Sequence, residues 1–467
     1  MSDSSGGVLI IYTGGTVGAV RQNAANKQSP LVPGSMSSLL SYLPLDVEKC
    51  MSFAGGRVPV DVKSTEQLLD STNITPEDWV SMAQLIAENY DDYVGFVILH
   101  GTDTMAFTSS ALAFMFDNLD KPVILTGAQR SISETRSDAL QNIITAVEIA
   151  GAELIDGFVV PEVALFFHDV LLRGCRVTKS SASSYHGFFS PNFPPLATVG
   201  EHINVYERLV REPSGQALSL HRELSRNVAV LQLSPLMSAD MLETMLSAEN
   251  LDGVILETYG VGNAPSSKEF LDVIQSTVER GVKVAAVTQC RQGAVELGLY
   301  QVSAGLLQRG VISGLDMTAE AAQTKLALLL ADSSVVDPVE ALMQIDLRGE
   351  LSRSLFELTF SGGSSEDSSP RWQRESFPGS SYFEQRAITG AQLRILDISI
   401  PSDQVCDCTI QVSLNGFRKR ESFLWDPSET SPGEVVDLTK AVKRSIRRAR
   451  KNSLVVELID CSDETVE

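Results

Sequence analysis

Val8-Leu-Ile-Ile-Tyr-Thr-Gly-Gly-Thr16 is the stretch whose reading decides the fold. Its first five residues are apolar without alternation, the pattern of a strand covered on both faces, as in a parallel sheet. Gly14-Gly15 lets the backbone turn sharply where the strand ends. Thr16 follows at once, beyond the carboxyl end, where open α/β sheets collect their ligands. A threonine there is either a helix N-cap or a nucleophile, and this stretch alone leaves both open.

The same pattern recurs downstream. Residues 95–99 form a second apolar run and deliver His100-Gly-Thr-Asp-Thr104; residues 122–126 form a third and deliver Gly127-Ala-Gln-Arg130. Between them lie helical segments. Thr75-Pro-Glu-Asp78 combines a capping residue, proline at the first helical position and acids in the first turn. Residues 37–43, 109–118 and 138–150 also read as helices, and 157–167 as a strand. Strands alternating with helices at this spacing predict a parallel, doubly wound sheet over residues 1–207. Residues 20–34 read as a mobile loop, and Asp70-Ser71-Thr72-Asn73 as a polar loop at a strand end.

Residues 208–226 read as a linker. A second α/β domain is expected over 227–355, with strands at 228–233, 253–257 and 282–288 and helices at 239–249, 268–280 and 319–330. Residues 356–379, holding Ser361-Gly-Gly-Ser-Ser-Glu-Asp-Ser-Ser369, read as a flexible linker. Beyond it, 393–400, 409–414 and 454–459 alternate apolar and polar residues, which predicts a small β-rich, sandwich-like domain over 380–467. Residues 437–451 read as a helix with one apolar and one basic face. That face is a solvated surface or a patch for an acidic partner or membrane.

Composition narrows the function. The 467 residues are 43% hydrophobic and 21% charged, ordinary for a globular protein of two or three domains. A formal net charge of −22 argues against a broad nucleic-acid surface. The six cysteines, Cys50, Cys175, Cys290, Cys406, Cys408 and Cys461, are too scattered for a disulfide framework and are expected to be reduced. The amino terminus lacks the basic region of a signal peptide, and no apolar run approaches the roughly 18 residues that cross a bilayer. A cytoplasmic location is expected. His168, His186, His202 and His221 have no metal-ligand spacing, and His100 is expected to be a structural hydrogen-bonder. Nothing matches a dinucleotide fingerprint or a P-loop.

The strongest chemical constellation is Thr16 with Thr102, Asp103 and Lys179. A hydroxyl is a weak nucleophile until a base or a nearby cation activates it. Thr102 supplies a second hydroxyl, Lys179 can carry a proton, and Asp103 can hold that lysine or a substrate amine. Read blandly, these are turn residues and a surface lysine.

Tyr12-Thr-Gly-Gly-Thr-Val-Gly18 and Gly95-Phe-Val-Ile-Leu-His-Gly-Thr-Asp-Thr-Met105 resemble the two signatures of bacterial-type L-asparaginases, most closely the cytoplasmic, type I branch. The resemblance continues through Pro122–Gln129, Glu134–Asp138, Leu172-Arg-Gly-Cys-Arg-Val-Thr-Lys179, Ser190–Pro195, Thr258–Pro265, Thr288-Gln-Cys290 and Leu347-Arg-Gly-Glu350, so it covers about residues 8–350. It implies an amidohydrolase that releases ammonia from L-asparagine through Thr16, with Thr102, Asp103 and Lys179 as the second catalytic set. It further implies that Asp70, Ser71 and Thr72 grip the substrate's α-carboxylate and α-amine with Thr102 and Asp103, and that Ala128 and Gln129 line the amide end. It implies no metal or organic cofactor, and a homodimer or homotetramer.

Two positions depart from that pattern. Gln28-Ser-Pro-Leu-Val-Pro33 puts Leu31 where the family has a tyrosine that helps activate the threonine. Tyr42 then stands in, or the loop alignment is shifted, or the protein is a weak or inactive enzyme that still binds asparagine. A related amidase acting on glutamine is a further alternative. Glu257 stands where the cytoplasmic branch can carry an arginine serving a regulatory asparagine site. A carboxylate there repels the ligand's carboxylate, so asparagine-driven cooperativity is expected to be absent.

Overall fold

The computed structural model describes residues 6–23, 29, 31–32, 34–298, 301–331 and 338–352, and the later segments 373–377, 392–394, 406–414, 417–425, 435–437 and 452–463. The chain divides into two compact units, Met1–Phe356 and Glu357–Glu467.

The first unit is built on a nine-stranded sheet. Its strands are β1 (Val8–Gly14), β2 (Cys50–Phe53), β3 (Gly56–Leu69), β4 (Gly95–Leu99), β5 (Val123–Thr126), β6 (Val163–Phe167), β7 (Val170–Arg173), β8 (Ala197–Val199) and β9 (Ile203–Val205), in the order β9-β8-β7-β6-β5-β4-β1-β3-β2. Strands β6, β5, β4, β1 and β3 run parallel. β1, flanked on both sides within this group, is buried at every residue, as its unbroken apolar run requires. The flanks are antiparallel, so the sheet is mixed and not purely parallel. The reason is loop length: two-residue connections such as Ala54-Gly55 and His168-Asp169 can join only antiparallel neighbours.

Four further strands, β10 (Val228–Gln232), β11 (Gly253–Thr258), β12 (Lys283–Thr288) and β13 (Ile312–Ser313), form a second, fully parallel sheet in that order. The helices that matter for the site are α1 (Pro76–Glu88), α2 (Met105–Met115), α3 (Ala139–Ala150), α4 (Ala239–Leu246), α5 (Lys268–Glu279) and α6 (Ala319–Ala331). At α1 the Asp78 carboxylate accepts from the N–H and hydroxyl of Thr75, as the Thr-Pro-Glu-Asp pattern predicts. The helix expected over 109–118 instead begins at Met105 and ends at Met115. Ser109 lies inside it and donates to Ala106 O, Ser110 donates to Gly174 O, and Phe116–Asp117 leaves to pair with Ser219–Leu220, within the stretch expected to be a plain linker. The strand expected over 157–167 is confined to Val163–Phe167, because Pro161 lacks the N–H a ladder needs.

Three apolar clusters fill the spaces between these layers. α2 is buried on all sides because it lies in the central cluster with α6 from the second half. Buried ion pairs reinforce that junction. Lys325 on α6 and Glu350 are both fully buried, 2.6 Å apart. Lys325 also donates to Met343 O and Ile345 O, and Glu350 accepts from Leu347 N and Arg348 N. Arg348 reaches across to Ala113 O, Phe116 O and the Asp117 carboxylate.

In the second unit, strands Gln373–Phe377, Asn452–Asp463, Cys406–Leu414 and Phe417–Trp425 pair antiparallel in that order, and Gln392–Arg394 pairs with Val435–Asp437. The basic helix expected over 437–451 lies, apart from Asp437, outside the described residues. Among the described residues, no helix is long and apolar enough to cross a membrane.

Glu350 generates a prediction. Burial pushes its carboxyl up, but the Lys325 charge and the two backbone N–H groups outweigh this and hold it below the usual range. The stability carried by its ionised form is complete above the ordinary value of 4.5 and is lost as pH falls below it toward the depressed native value. Glu350→Gln leaves Lys325 uncompensated and should cost about 3–5 kcal/mol at neutral pH. It should also flatten the acid limb of stability. Urea midpoints from pH 7 to pH 3 check both.

Candidate active site

Four strand ends meet at one edge of the nine-stranded sheet. Glycine makes this possible. Gly14 has φ 111°, and a Cβ on it would sit 2.4 Å from Leu69 O at the end of β3. Gly15 has φ 77°, and its Cβ would sit 2.5 Å from both Cα and N of Gly101, just past β4. A Cβ on Gly101 would lie 2.5 Å from the Ser71 hydroxyl. The ends of β1, β3 and β4 therefore touch backbone to backbone, bringing Thr16, Asp70-Ser71-Thr72 and Thr102-Asp103 into one cluster. Gly15 N donates to Leu69 O, Thr13 Oγ1 to Leu99 O and Thr104 Oγ1 to Ser71 O. His100 N donates to Thr126 O at the end of β5, which adds Ala128 and Gln129 to the neighbourhood.

Thr16 opens a short 3-10 turn, Thr16–Gly18, whose N-cap is Gly15. It is thus the first residue inside the turn and does not cap it. Among the described residues its hydroxyl makes no hydrogen bond, while its carbonyl accepts from Ala19 N. The first N–H groups of such a turn have no intrahelical partner and are free to face an anion.

Lys179 lies in a two-residue strand, Thr178–Lys179, paired with Phe188–Phe189. Its Nζ donates to Thr102 Oγ1 at 2.9 Å and to Asp103 Oδ1 at 2.6 Å. Thr102 is buried and Asp103 exposed, so the lysine links a shielded hydroxyl to a carboxylate open to solvent. Three anchors just before it, two of them buried arginines, set its position. Arg173 pairs with Glu162 at 2.5 Å. Arg176 donates to Gly349 O and Asp316 Oδ2 across the junction between the halves. Thr178 donates to Glu320 at the start of α6, whose carboxyl burial pushes up, with Glu257 adding to the rise. Sequence spacing did not reveal these anchors, because Arg176 and Thr178 find their partners in the second half of the unit and the Arg173–Glu162 pair has no motif spacing.

The remaining site candidates fall in different roles. Asp70 Oδ1 accepts from the N–H and hydroxyl of Thr72 at 3.1 Å each, fixing the turn that carries Ser71. Ala128 is buried in the apolar cluster that also holds Val17. Gln129 spends its side-chain amide on Ser181 O and Ser184 O, tying down the loop after Lys179. Asp138 accepts from the N–H groups of Gln129 and Arg130 and so holds that turn. Tyr42 is exposed and, among the described residues, makes no side-chain hydrogen bond, so the structure does not join it to Thr16. Residue 31 lies in a short ladder opposite Arg21.

His100 is fully buried in a hydrogen-bonded string. Trp79 Nε1 donates to Thr108 Oγ1, and Thr108 then donates to His100 Nε2. That assignment puts the ring proton on Nδ1, which donates to Gly101 O. Burial pushes its pKa down to about 4. It is a neutral strut for the Gly101 turn and not a base.

Comparison with known proteins follows the same outline. The family model described as Asparaginase, N-terminal, matches residues 7–211, and that of the Glutaminase/Asparaginase C-terminal domain matches 227–343. The chain is 40% identical over 348 residues to L-asparaginase 1 of Escherichia coli, covering 74% of this chain and 97% of that protein. It is 39% identical over 362 residues to the human 60 kDa lysophospholipase, of which it covers 61%. The crystal structure of L-asparaginase I from Vibrio cholerae superposes with a TM-score of 0.65 at 38% identity, over 75% of this chain and all of that one.

His100 yields a test. Its native pKa lies below the ordinary 6.5, so the stability held by its neutral form is complete above 6.5 and is lost as pH falls through the interval down to about 4. The loss should be roughly 3 kcal/mol. His100→Gln should remove this pH dependence, read from urea midpoints between pH 7.5 and 4.5.

Proposed function

This chain belongs to the asparaginase family, and we propose on that premise that it hydrolyses L-asparagine to L-aspartate and ammonia with Thr16 as nucleophile. The observation that carries the reading is the Lys179 ammonium shared between Thr102 and Asp103, beside a turn that presents a threonine hydroxyl with no partner among the described residues. In the first half-reaction Thr16 Oγ1 forms a bond to the side-chain carbonyl carbon of asparagine, giving a tetrahedral oxyanion. Backbone N–H groups at the Thr16 and Thr102 turns meet that oxyanion, each typically contributing about 3 kcal/mol. The C–N bond breaks, the hydroxyl proton passes to the leaving nitrogen, and ammonia departs from an aspartyl ester on Thr16. Water then hydrolyses the ester and restores the hydroxyl. Thr102, Lys179 and Asp103 form the chain of proton carriers closest to hand for both transfers.

Asp70, Ser71 and Thr72, with Thr102 and Asp103, hold the substrate's α-carboxylate and α-amine in this reading. Ala128 and Gln129 border its amide end. The protein works in the cytoplasm as a homodimer or homotetramer, with 1–207 and 227–355 as its two α/β domains. Residues 380–467 are an added module for interaction or assembly. Lys179 takes over much of the activation that the family assigns to the tyrosine replaced by Leu31.

Two expectations follow. Thr16→Ala should abolish ammonia release from L-asparagine, and Lys179→Met should lower kcat by ~10²–10⁴ with a smaller change in KM. Asparagine binding without ammonia release above the Thr16→Ala background would leave only a binding protein. Burial pushes the Glu257 carboxyl up, but its position at the end of β11 still offers an acid and no arginine. Initial rates should therefore follow a hyperbola in L-asparagine. A sigmoidal curve lost in Glu257→Gln would contradict this.

A further inference from the structure

β6 and β7 are joined by a two-residue turn, His168-Asp169, closed by the Phe167–Val170 pair. His168 sits at φ 61°, in the left-handed region where glycine is the natural occupant of such a turn. The turn is held from two sides: His168 N donates to Asn142 Oδ1, and Val199 N donates to Asp169 O. A rigid platform thus carries an imidazole and a carboxylate on adjacent residues.

The third group comes from the loop after Lys179. This loop is folded tightly on itself. Ser180 N and Ser181 N donate to Gly187 O, and Ser183 N and Ser184 N donate to Ser181 Oγ. Tyr185 donates to Arg136 O, and its ring stacks on His168. The next residue, His186, lies with its ring centroid 4.1 Å from that of His168, edge-on at 76°. Its Nδ1 is 3.5 Å from Asp169 Oδ1. That oxygen is buried and, among the described residues, accepts no hydrogen bond, so the two groups are close without being aligned as donor and acceptor. A carboxylate oxygen of Asp169 and one ring nitrogen from each histidine lie within 4.8 Å of one another.

We propose that His168, Asp169 and His186 bind a divalent transition metal of the zinc class. Bonds of about 2.1 Å in a tetrahedral site separate ligand atoms by roughly 3.4 Å, so a modest rotation of the exposed His186 ring closes the triangle, with water in the fourth position. Two imidazoles and one carboxylate suit Zn²⁺, Co²⁺ or Ni²⁺ and not the all-oxygen preference of Mg²⁺ or Ca²⁺. The orphaned carboxylate oxygen then has a partner, and a histidine at the left-handed position has a purpose that glycine would not serve. Motif spacing could not find the site, because 16 intervening residues separate Asp169 from His186 and only the fold joins them. The metal fastens the loop of residues 180–187 to the sheet. Gln129 bonds to that loop, so metal occupancy also bears on the amide end of the cleft. That last consequence rests on the proposed function, whereas the metal site does not.

The test is metal binding by the full-length chain after treatment with a chelator. Zn²⁺ titrated by calorimetry should bind with a Kd on the order of micromolar, and Mg²⁺ should not compete. Co²⁺ at the same site should give a visible spectrum without a thiolate charge-transfer band, which separates it from any cysteine site. His168→Gly, Asp169→Asn and His186→Asn should each weaken that binding ~100-fold or more. His168→Gly relieves the left-handed backbone, so its Tm should hold or rise, and loss of metal in it is not loss of fold. Zn²⁺ should slow proteolysis within 180–187 in the wild-type chain and not in His168→Gly. Binding that persists unchanged in all three variants, or none below about 1 mM Zn²⁺, would overturn the proposal. Either result leaves the ammonia-release assay, run without added metal, to judge the amidohydrolase reading separately.

Discussion

Backbone contact between the ends of β1, β3 and β4 is the constraint on which the rest of the structure depends. Only residues without a Cβ let the chain pass as closely as Gly15 and Gly101 do, and Gly14 and Gly15 also need left-handed φ values. Strands β1, β4 and β5 behind them are buried at every residue, so they cannot give way to relieve the crowding. Hydroxyl groups at the meeting point are therefore held by the main chain, not by flexible side chains. Such preorganisation favours charge stabilisation during a reaction.

The second requirement is that Lys179 be delivered to that point from outside the parallel core. The second half of the first unit serves this purpose. Arg176 is clasped by Gly349 and Asp316, Thr178 by Glu320, and the 347–350 turn is locked to Lys325. Arg176, Asp316, Lys325 and Glu350 are buried charged groups whose removal in isolation is costly, but whose geometry is unique once all partners are present. A lysine on a two-residue strand has little secondary structure of its own to hold it. The buried arginines of the preceding residues supply the rigidity. The two halves of the first unit are thus coupled at the residues that flank the site, and the anchoring groups need no contact with substrate.

Much of this was legible in the amino-acid sequence. Unalternating apolar runs before Gly14, Gly101 and Gly127 identify central strands, and the polar residues after them identify the edge where they converge. The cap at Thr75 reads correctly because its signals are local. Short antiparallel returns at the sheet's flanks were not legible, since the apolar stretches near 50–69 and 163–173 do not reveal strand direction. Ser109 looked like a helix start but lies inside α2, its hydroxyl donating to Ala106 O and to Gly174 O, where tertiary packing overrides propensity. The Trp79–Thr108–His100 string, the Lys325–Glu350 pair and the His168–Asp169–His186 cluster each join residues with no fixed spacing. Nothing short of the fold could assemble them.

Whether Thr16 is the nucleophile is tested most directly by trapping its ester. The full-length protein is mixed with L-asparagine, quenched in acid within the first turnover and digested for mass spectrometry. The account predicts an aspartyl ester on the peptide containing Thr16, present in wild type, enriched when Lys179→Met slows deacylation, and absent in Thr16→Ala. An ester on Thr102, or ammonia release at the full rate with no ester on Thr16 at any quench time, would contradict it.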